Sequence, residues 1–367
     1  MKKLFLSLIA LALPLFAGAQ VTDIRTATLI HGNETKVYYG EDAFKDAYNA
    51  AAQSGDVIVL SSGNFNDAPS ITKSISIYGA GYETDTIAGT EPTSISSISI
   101  APVTGYDDYG TQIKIYPKVY LEGLLLLLNK NSYSDRLTCL YIAEGGNIDN
   151  LIVRKCKMTG ALSINATSTN CRFIQCVFMN HIGYSTSGST GRITSTGFKT
   201  EQSQLSFENC WIRYAAGSSL TSTITFNHCI IYGIDSWYVT SGSKQYAHFT
   251  NNIIVAALPE NCTAYNNIFI STSIGTNVTG ENNWVNIVTS GIFEPDNGLV
   301  YSATNNYIIR FPKKYVGTDG TEVGINGGSY PFNRLSSVPR ILQSDIDLTT
   351  TEDKKLNVSI KVEAQTK

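Results

Sequence analysis

Charge is what this chain has least of. Lys, Arg, Asp and Glu make up 16% of its 367 residues, against about 25% in an average soluble domain. That scarcity excludes a long helix bundle with a charged surface, and equally a charged disordered tail. It suits a β-rich protein whose surface is Ser, Thr, Asn and Tyr. Nor is there a basic excess, since the formal net charge is −3. Nucleic-acid binding needs a concentrated basic face, so no nucleic acid is expected as a partner. Long apolar runs are missing too. Beyond the first 19 residues the apolar runs are short, as at Leu124 to Leu128, and no transmembrane segment is expected. The seven cysteines include no Cys-x-x-Cys pair, so no metal site is expected from them.

What is present begins with an address. Lys2-Lys3 precedes an apolar run from Leu4 to Phe16, and Ala17-Gly18-Ala19 supplies a small-x-small cleavage pattern. Residues 1–19 therefore read as a signal peptide, with a mature chain from Gln20. No Cys stands near the cleavage site, which argues against a lipid anchor. The expected location is outside the cytoplasm: extracellular, cell-surface or periplasmic.

Four cysteines share their surroundings. Aligned on Cys156, Cys176, Cys210 and Cys229, the flanks agree, and the register continues with Asn252, Asn267 and Asn283 in place of Cys. The spacings are 20, 34, 19, 23, 15 and 16 residues. A period near 20 is a solenoid signal. With the Cys/Asn position as zero, positions −5, −3, 0 and +2 are mostly apolar, Cys or Asn. Alternation on either side of a two-residue break reads as two short strands joined by a tight corner. Such coils stack like strand on like strand at ~4.8 Å per rung, which is a parallel β-helix. The cysteines then form either a buried thiol stack, with Asn substituting by hydrogen bonds along it, or one or more disulfides between rungs.

Upstream, Phe44, Ala47, Tyr48 and Ala51 recur at helical spacing, which predicts a helix over 41–54 covering the first rung. After it come Ser54-Gly55-Asp56, an apolar strand, Ser62-Gly63-Asn64-Phe65 and Ile71-Thr72-Lys73-Ser74-Ile75-Ser76-Ile77-Tyr78-Gly79-Ala80-Gly81. This order resembles the opening of secreted right-handed parallel β-helix proteins of the pectin-lyase-like superfamily. Val119-Tyr120-Leu121-Glu122-Gly123-Leu124 is similar to a later rung of that fold, and the ending resembles uncharacterised exported β-helix proteins of gut bacteria. The resemblance implies an all-β, right-handed, single-stranded parallel β-helix of roughly ten rungs over 20–300. It would have an N-terminal capping helix and a β-rich C-terminal cap over 301–367. Superfamily members include polysaccharide lyases, glycoside hydrolases and adhesins, so the fold leaves function open.

The C-terminal region carries a Gly-rich run, Gly317 to Phe332, that reads as ordered turns, followed by strands with period-2 alternation from Val338 and Lys355. No Gly-Lys-Ser/Thr follows the run, so it is no phosphate loop. Position +1 of the repeat should face outward, yet it reads Lys157, Val177, Trp211, Ile230, Ile253, Ile268 and Trp284. Either the segment after residue 300 folds back over this stripe, or Trp211 and Trp284 offer ring faces to sugars. Position −4, with Arg172, Ser206, Thr225 and His248, reads as an ordinary solvated sheet face.

Further candidates for holding a glycan are Tyr184, Arg192 and Lys199 in the 180–204 insertion, with Arg213, Tyr141 and Tyr238 on strand faces. No paired-Asp or Gly-His-Gly motif of a β-helix hydrolase is present. Asp107-Asp108 could contribute to a Ca²⁺ site, which needs about six to eight oxygens. The expected function is polysaccharide binding outside the cell without an identifiable catalytic set. The alternatives are a lyase or hydrolase working in a groove near the insertion, and a structural or adhesive surface protein.

Overall fold

The structure is a computed structural model. It describes residues 25–128 except 53 and 67, 138–182, 204–215, 223–234, 246–294, 298–346, 353–355 and 358–363. Among these the chain is mostly strand, in long parallel sheets of eleven and twelve strands with a third of four. The arrangement is β-helix-like. Each repeat gives one strand to the first sheet and one to the second: Ile152–Arg154 then Lys157–Met158, Gln204–Glu208 then Trp211–Ala215, Thr223–Asn227 then Ile230–Ile234. Equivalent positions lie opposite one another, so that Val153, Phe173, Phe207, Phe226 and Phe249 form one in-register row.

The break in alternation is a corner. Position −1 is left-handed in every repeat: Lys155, Gln175, Asn209, His228, Asn251 and Asn266 have φ between 47° and 61°. Asn adopts that region at little cost, which is why it recurs there. The corner directs positions −3 and 0 inward, and both rows are buried. The four Phe rings of position −3 stack at 4.9–5.1 Å.

The Cys/Asn row works by one rule in both chemistries. Cys210, Asn252, Asn267 and Asn283 each accept the position-0 N–H of the rung before and donate to that rung's position −3 carbonyl, and Cys176 and Cys229 make the same donation. Cys210 Sγ accepts from Cys176 N at 3.4 Å and donates to Phe173 O at 3.3 Å. Asn252 Oδ1 accepts from Cys229 N at 2.7 Å, and its Nδ2 donates to Phe226 O at 2.9 Å. All seven cysteines are free thiols and buried.

Burial pushes the thiols up, Cys171 to about 11 and Cys139 and Cys262 to about 12, with Cys156 and Cys210 well above their ordinary value. Unfolded thiols ionise near pH ~8.5. Above that pH the unfolded chain loses protons the folded chain keeps, so stability should fall by about 1.4 kcal/mol per pH unit for each thiol. Cys139→Ala should make the fall shallower by that amount between about pH 9 and 11. Urea midpoints under reducing conditions would show it, and an unchanged slope would mean that Cys139 ionises in the folded state.

At the N-terminal end, Thr26–His31 and Glu34–Tyr39 extend the first sheet as antiparallel strands. A helix, Ala43–Ala50, buries Ala43, Phe44, Ala47 and Tyr48. It stops short of residue 54 because Ser54-Gly55 already belongs to the strand Ser54–Leu60, where Gly55 takes φ +85°.

The stripe at position +1 is covered by the chain itself. Ile292, Phe293, Tyr307, Ile309, Tyr315, Val323 and Ile325 pack on Val177, Trp211, Ile230, Ile253 and Ile268. The segment from Tyr315 to Ser337 is also clipped to the corner side chains, one rung after another. Asn266 Nδ2 donates to Val316 O at 2.8 Å, Asn251 Oδ1 accepts from Thr318 N at 2.8 Å, and Asn209 Nδ2 donates to Ile325 O and Gly327 O at 2.8 and 2.6 Å. Gln175 reaches Pro331 O, and Ser336 Oγ donates to Gly79 O at 2.7 Å. This strap therefore retraces the stack from its last rungs to its first. Two of its glycines are required by contact: a Cβ at Gly327 or Gly328 would lie 2.6 or 2.7 Å from the His228 ring. Beyond the strap, Arg340–Ile346 and Val358–Glu363 form an antiparallel pair.

Candidate functional site

Of the predicted glycan-binding residues, Tyr141, Trp211, Arg213 and Trp284 are among the described residues. Tyr184, Arg192, Lys199 and Tyr238 lie outside the described residues. Trp211 projects from the second sheet as expected, but it is 3% exposed, with the Tyr301 ring 5.5 Å away. Trp284 is half-buried, edge-on to Tyr315 at 5.2 Å. Both rings are packed by chain from beyond residue 300, the fold-back that the sequence held open beside a sugar-binding face. Arg213 is exposed at the middle of its strand, Trp211–Ala215, 5.6 Å from the Tyr214 ring. Tyr141 sits in another strand, Thr138–Ile142, opposite Ser163 and Ser99. Asp107 closes its own loop, Oδ1 accepting from Tyr109 N at 3.0 Å and Thr111 N at 2.7 Å.

The outward face of the first sheet is different. Its inner rows are apolar, so the residues between them must project outward by the period-2 rule. Tyr78, Glu122, Arg154, Ile174 and Glu208 form one outward row. Tyr120, Ile152, Arg172, Ser206, Thr225 and His248 form the other. The Tyr78 and Tyr120 rings lie 5.3 Å apart. Tyr120 Oη donates to Glu122, whose other oxygen accepts from Ser337 N of the strap at 2.9 Å. Arg172 holds Glu208 in a fork, Nε to Oε1 at 3.0 Å and Nη2 to Oε2 at 2.9 Å, and Ser206 Oγ donates to the same carboxylate at 2.6 Å. The strap's Tyr330 ring lies 5.5 Å from that guanidinium. Beside the fork is a hollow of about 370 Å³ lined by Asn170, Arg172, Gln204, Ser206, Thr223 and Thr225.

The electrostatics make this a surface of fixed donors. Burial, and then the Glu122 hydrogen bond, push the Tyr120 hydroxyl far above its usual range; burial and Glu122 also raise Tyr78. Both stay protonated, and Tyr120 donates to Glu122. The Glu208 fork holds Arg172 charged. Lys155 is pushed down to about 8 by burial and then by Arg154. It is 1% exposed at its corner, out of a ligand's reach. The face offers half-exposed tyrosine rings on two adjacent strands, the hydroxyls of Ser206 and Thr225 and the oriented guanidinium of Arg172, and that is chemistry for holding an extended polar chain.

Sequence reasoning passed over Arg172 because its column also holds Ser and Thr. Its partner Glu208 lies across the 34-residue interval, where periodicity is least visible. Tyr120 and Glu122 could have been found by extending the alignment one rung upstream, since Gly123 makes the same left-handed corner at φ +71° and Leu124 takes the buried position after it. Comparison of the chain with protein-family models, curated proteins and solved structures returns no match, so any functional reading rests on this face and its chemistry.

Proposed function

We propose that the protein is an exported, right-handed parallel β-helix of the pectin-lyase-like kind that binds extracellular or cell-surface polysaccharide on the outward face of its first sheet. The carrying observation is the pair of outward rows, which place the Tyr78 and Tyr120 rings and the Arg172–Glu208 fork on one face beside a hollow. Polysaccharide chains present apolar ring faces and hydroxyls at regular intervals, which tyrosine rings and fixed polar groups are suited to meet. The in-register corners and the uniform inner rows support the coil reading. The adhesive alternative called for an open position +1 stripe, and the strap covers that stripe.

The test is to incubate the mature protein with xylan, glucomannan, polygalacturonate and alginate, with Ca²⁺ present, and to measure binding and product length together. Binding to at least one polymer, weakened about tenfold or more by Arg172→Ala or Tyr120→Ala, is the expected result; a fully engaged charged hydrogen bond is worth about that much. Shortened chains would make the protein an enzyme instead. Absence of binding across the panel would overturn the reading.

A further inference from the structure

A second and larger hollow opens on the same outward face, where the strap crosses the first rungs. It has a volume of about 570 Å³, within the range of small-ligand pockets. Strand Thr26–His31 forms one wall. Ala27 and Leu29 of that strand point into the core, so Thr26 and Thr28 point outward, into the hollow. Ser62 and Thr90 complete a ring of hydroxyls, and Val59, Leu335 and Val338 supply apolar surface. Among the described residues, the hydroxyls of Thr26, Thr28, Ser62 and Thr90 have no hydrogen-bond partner.

The charges on the wall are engaged with each other. Arg340 pairs with Asp85 and, through Nε and Nη2, with Glu363 at 2.8 and 2.6 Å. Asp85 Oδ1 accepts from the Ile87 and Ala88 N–H groups at 2.9 and 3.1 Å. What remains for a ligand is hydroxyl and aliphatic surface without net charge. That combination suits a neutral, polyhydroxylated ring.

The placement connects this hollow to the face already described. Thr28 is in register with Val59, Val59 with Tyr78, and Tyr78 with Glu122. From strand Ser54–Leu60 to strand Cys171–Ile174, beside the Arg172 hollow, the first sheet takes four steps. At ~4.8 Å each this is about 19 Å, the reach of about four pyranose rings in an extended chain.

Resting on the polysaccharide reading above, we infer that this hollow is a second sugar subsite, for a neutral ring, and that one glycan chain spans both hollows. Binding should then depend on chain length in a defined way. Short fragments engage one hollow; fragments long enough to bridge engage both, and the second contact is gained at high effective concentration.

The experiment uses size-fractionated neutral oligosaccharides of about two to eight rings, made by partial acid hydrolysis of the xylan and glucomannan of the panel. Calorimetry would measure their affinity for the full mature protein, for Thr28→Val/Thr90→Val and for Arg172→Ala. Both valine substitutions remove only a hydroxyl at a half-buried position. Affinity should climb at least tenfold between two rings and about five, then level off. The valine pair should lose that climb while leaving the shortest fragments unaffected by more than about twofold. A plateau already at two rings, or a valine pair indistinguishable from wild type at every length, would overturn the second subsite and leave the polysaccharide reading standing. If none of the panel polymers binds, the polysaccharide reading falls and the subsite falls with it.

Discussion

Phe207→Ala is expected to destabilise the protein by about 4 kcal/mol, while Ser206→Ala should change stability by less than about 1 kcal/mol. The two residues are neighbours on one strand and differ in the face they take. Phe207 is fully buried, stacked between Phe173 at 5.0 Å and Phe226 at 5.1 Å, with the Phe178 ring edge-on at 5.6 Å. Truncation removes one ring from the middle of a four-ring stack. The rungs on both sides are tied by backbone pairing to the same strand, so the gap cannot close by collapse, and cavity cost adds to lost burial. Each aromatic pair lost also carries its own increment. Ser206 is half-buried on the outward face and loses one hydrogen bond, to Glu208. Urea unfolding of both variants at unchanged m-value would check the difference. Equal, small effects would show that Phe207 does not point inward.

The contrast between those neighbours was legible from the sequence, and the reason is local. A side chain's face in a strand follows from its parity, and parity is visible wherever apolar positions alternate. Corners were legible in the same way, as a break in alternation between positions −3 and 0. The cover over Val177, Trp211 and Ile230 was legible only as a choice between two outcomes. An apolar outward stripe says that something must cover it and does not say what. The partners that decide the matter are remote: Asn209 meets Gly327 across 118 residues, and the strap contributes backbone carbonyls, which leave no residue-type signature. The Gly-rich composition of 317–332 was visible, but its cause, the approach of Gly327 and Gly328 to His228, exists only in the assembled structure.

The candidate face failed to stand out for a related reason. Its rows mix Tyr, Arg and Glu with Ser, Thr and Ile, so no single column looks unusual. Arg172 and Glu208 become a fork only once the rungs are stacked, since their strands are adjacent in space and 36 residues apart in sequence. Tryptophan attracted attention because it is rare and large. Size, however, favours burial, and Trp211 is more useful to the strap as packing than to a ligand as a platform.

Asn267→Ala should be among the most damaging single substitutions in the chain, at about 4 kcal/mol, and Asn267→Cys should cost about half as much. Asn267 is fully buried. Its Oδ1 accepts from both Asn252 N and Asn252 Nδ2 at 2.9 Å, and its Nδ2 donates to Phe249 O at 2.9 Å and Asn283 Oδ1 at 3.0 Å. Alanine leaves the Asn252 N–H and the Phe249 carbonyl each short of a partner, away from water, while the Asn283 amide oxygen keeps only the residue-267 N–H. Each orphan costs about 1–3 kcal/mol, so the ladder's failure outweighs the small loss of apolar area. Cysteine keeps the two contacts that the row requires. At Cys210 the sulfur accepts from the preceding position-0 N–H and donates to the preceding position −3 carbonyl, at 3.4 and 3.3 Å. The same Sγ geometry at residue 267 would serve Asn252 N and Phe249 O and give up only the amide-to-amide links. Unfolding free energies would rank the variants, and amide exchange at Asn252 would localise the effect, with protection lost in the alanine variant and largely kept in the cysteine one. If alanine and cysteine proved equally costly, Cys and Asn would not be interchangeable in this row, and the alternation of Cys156, Cys176, Cys210 and Cys229 with Asn252, Asn267 and Asn283 would need another cause.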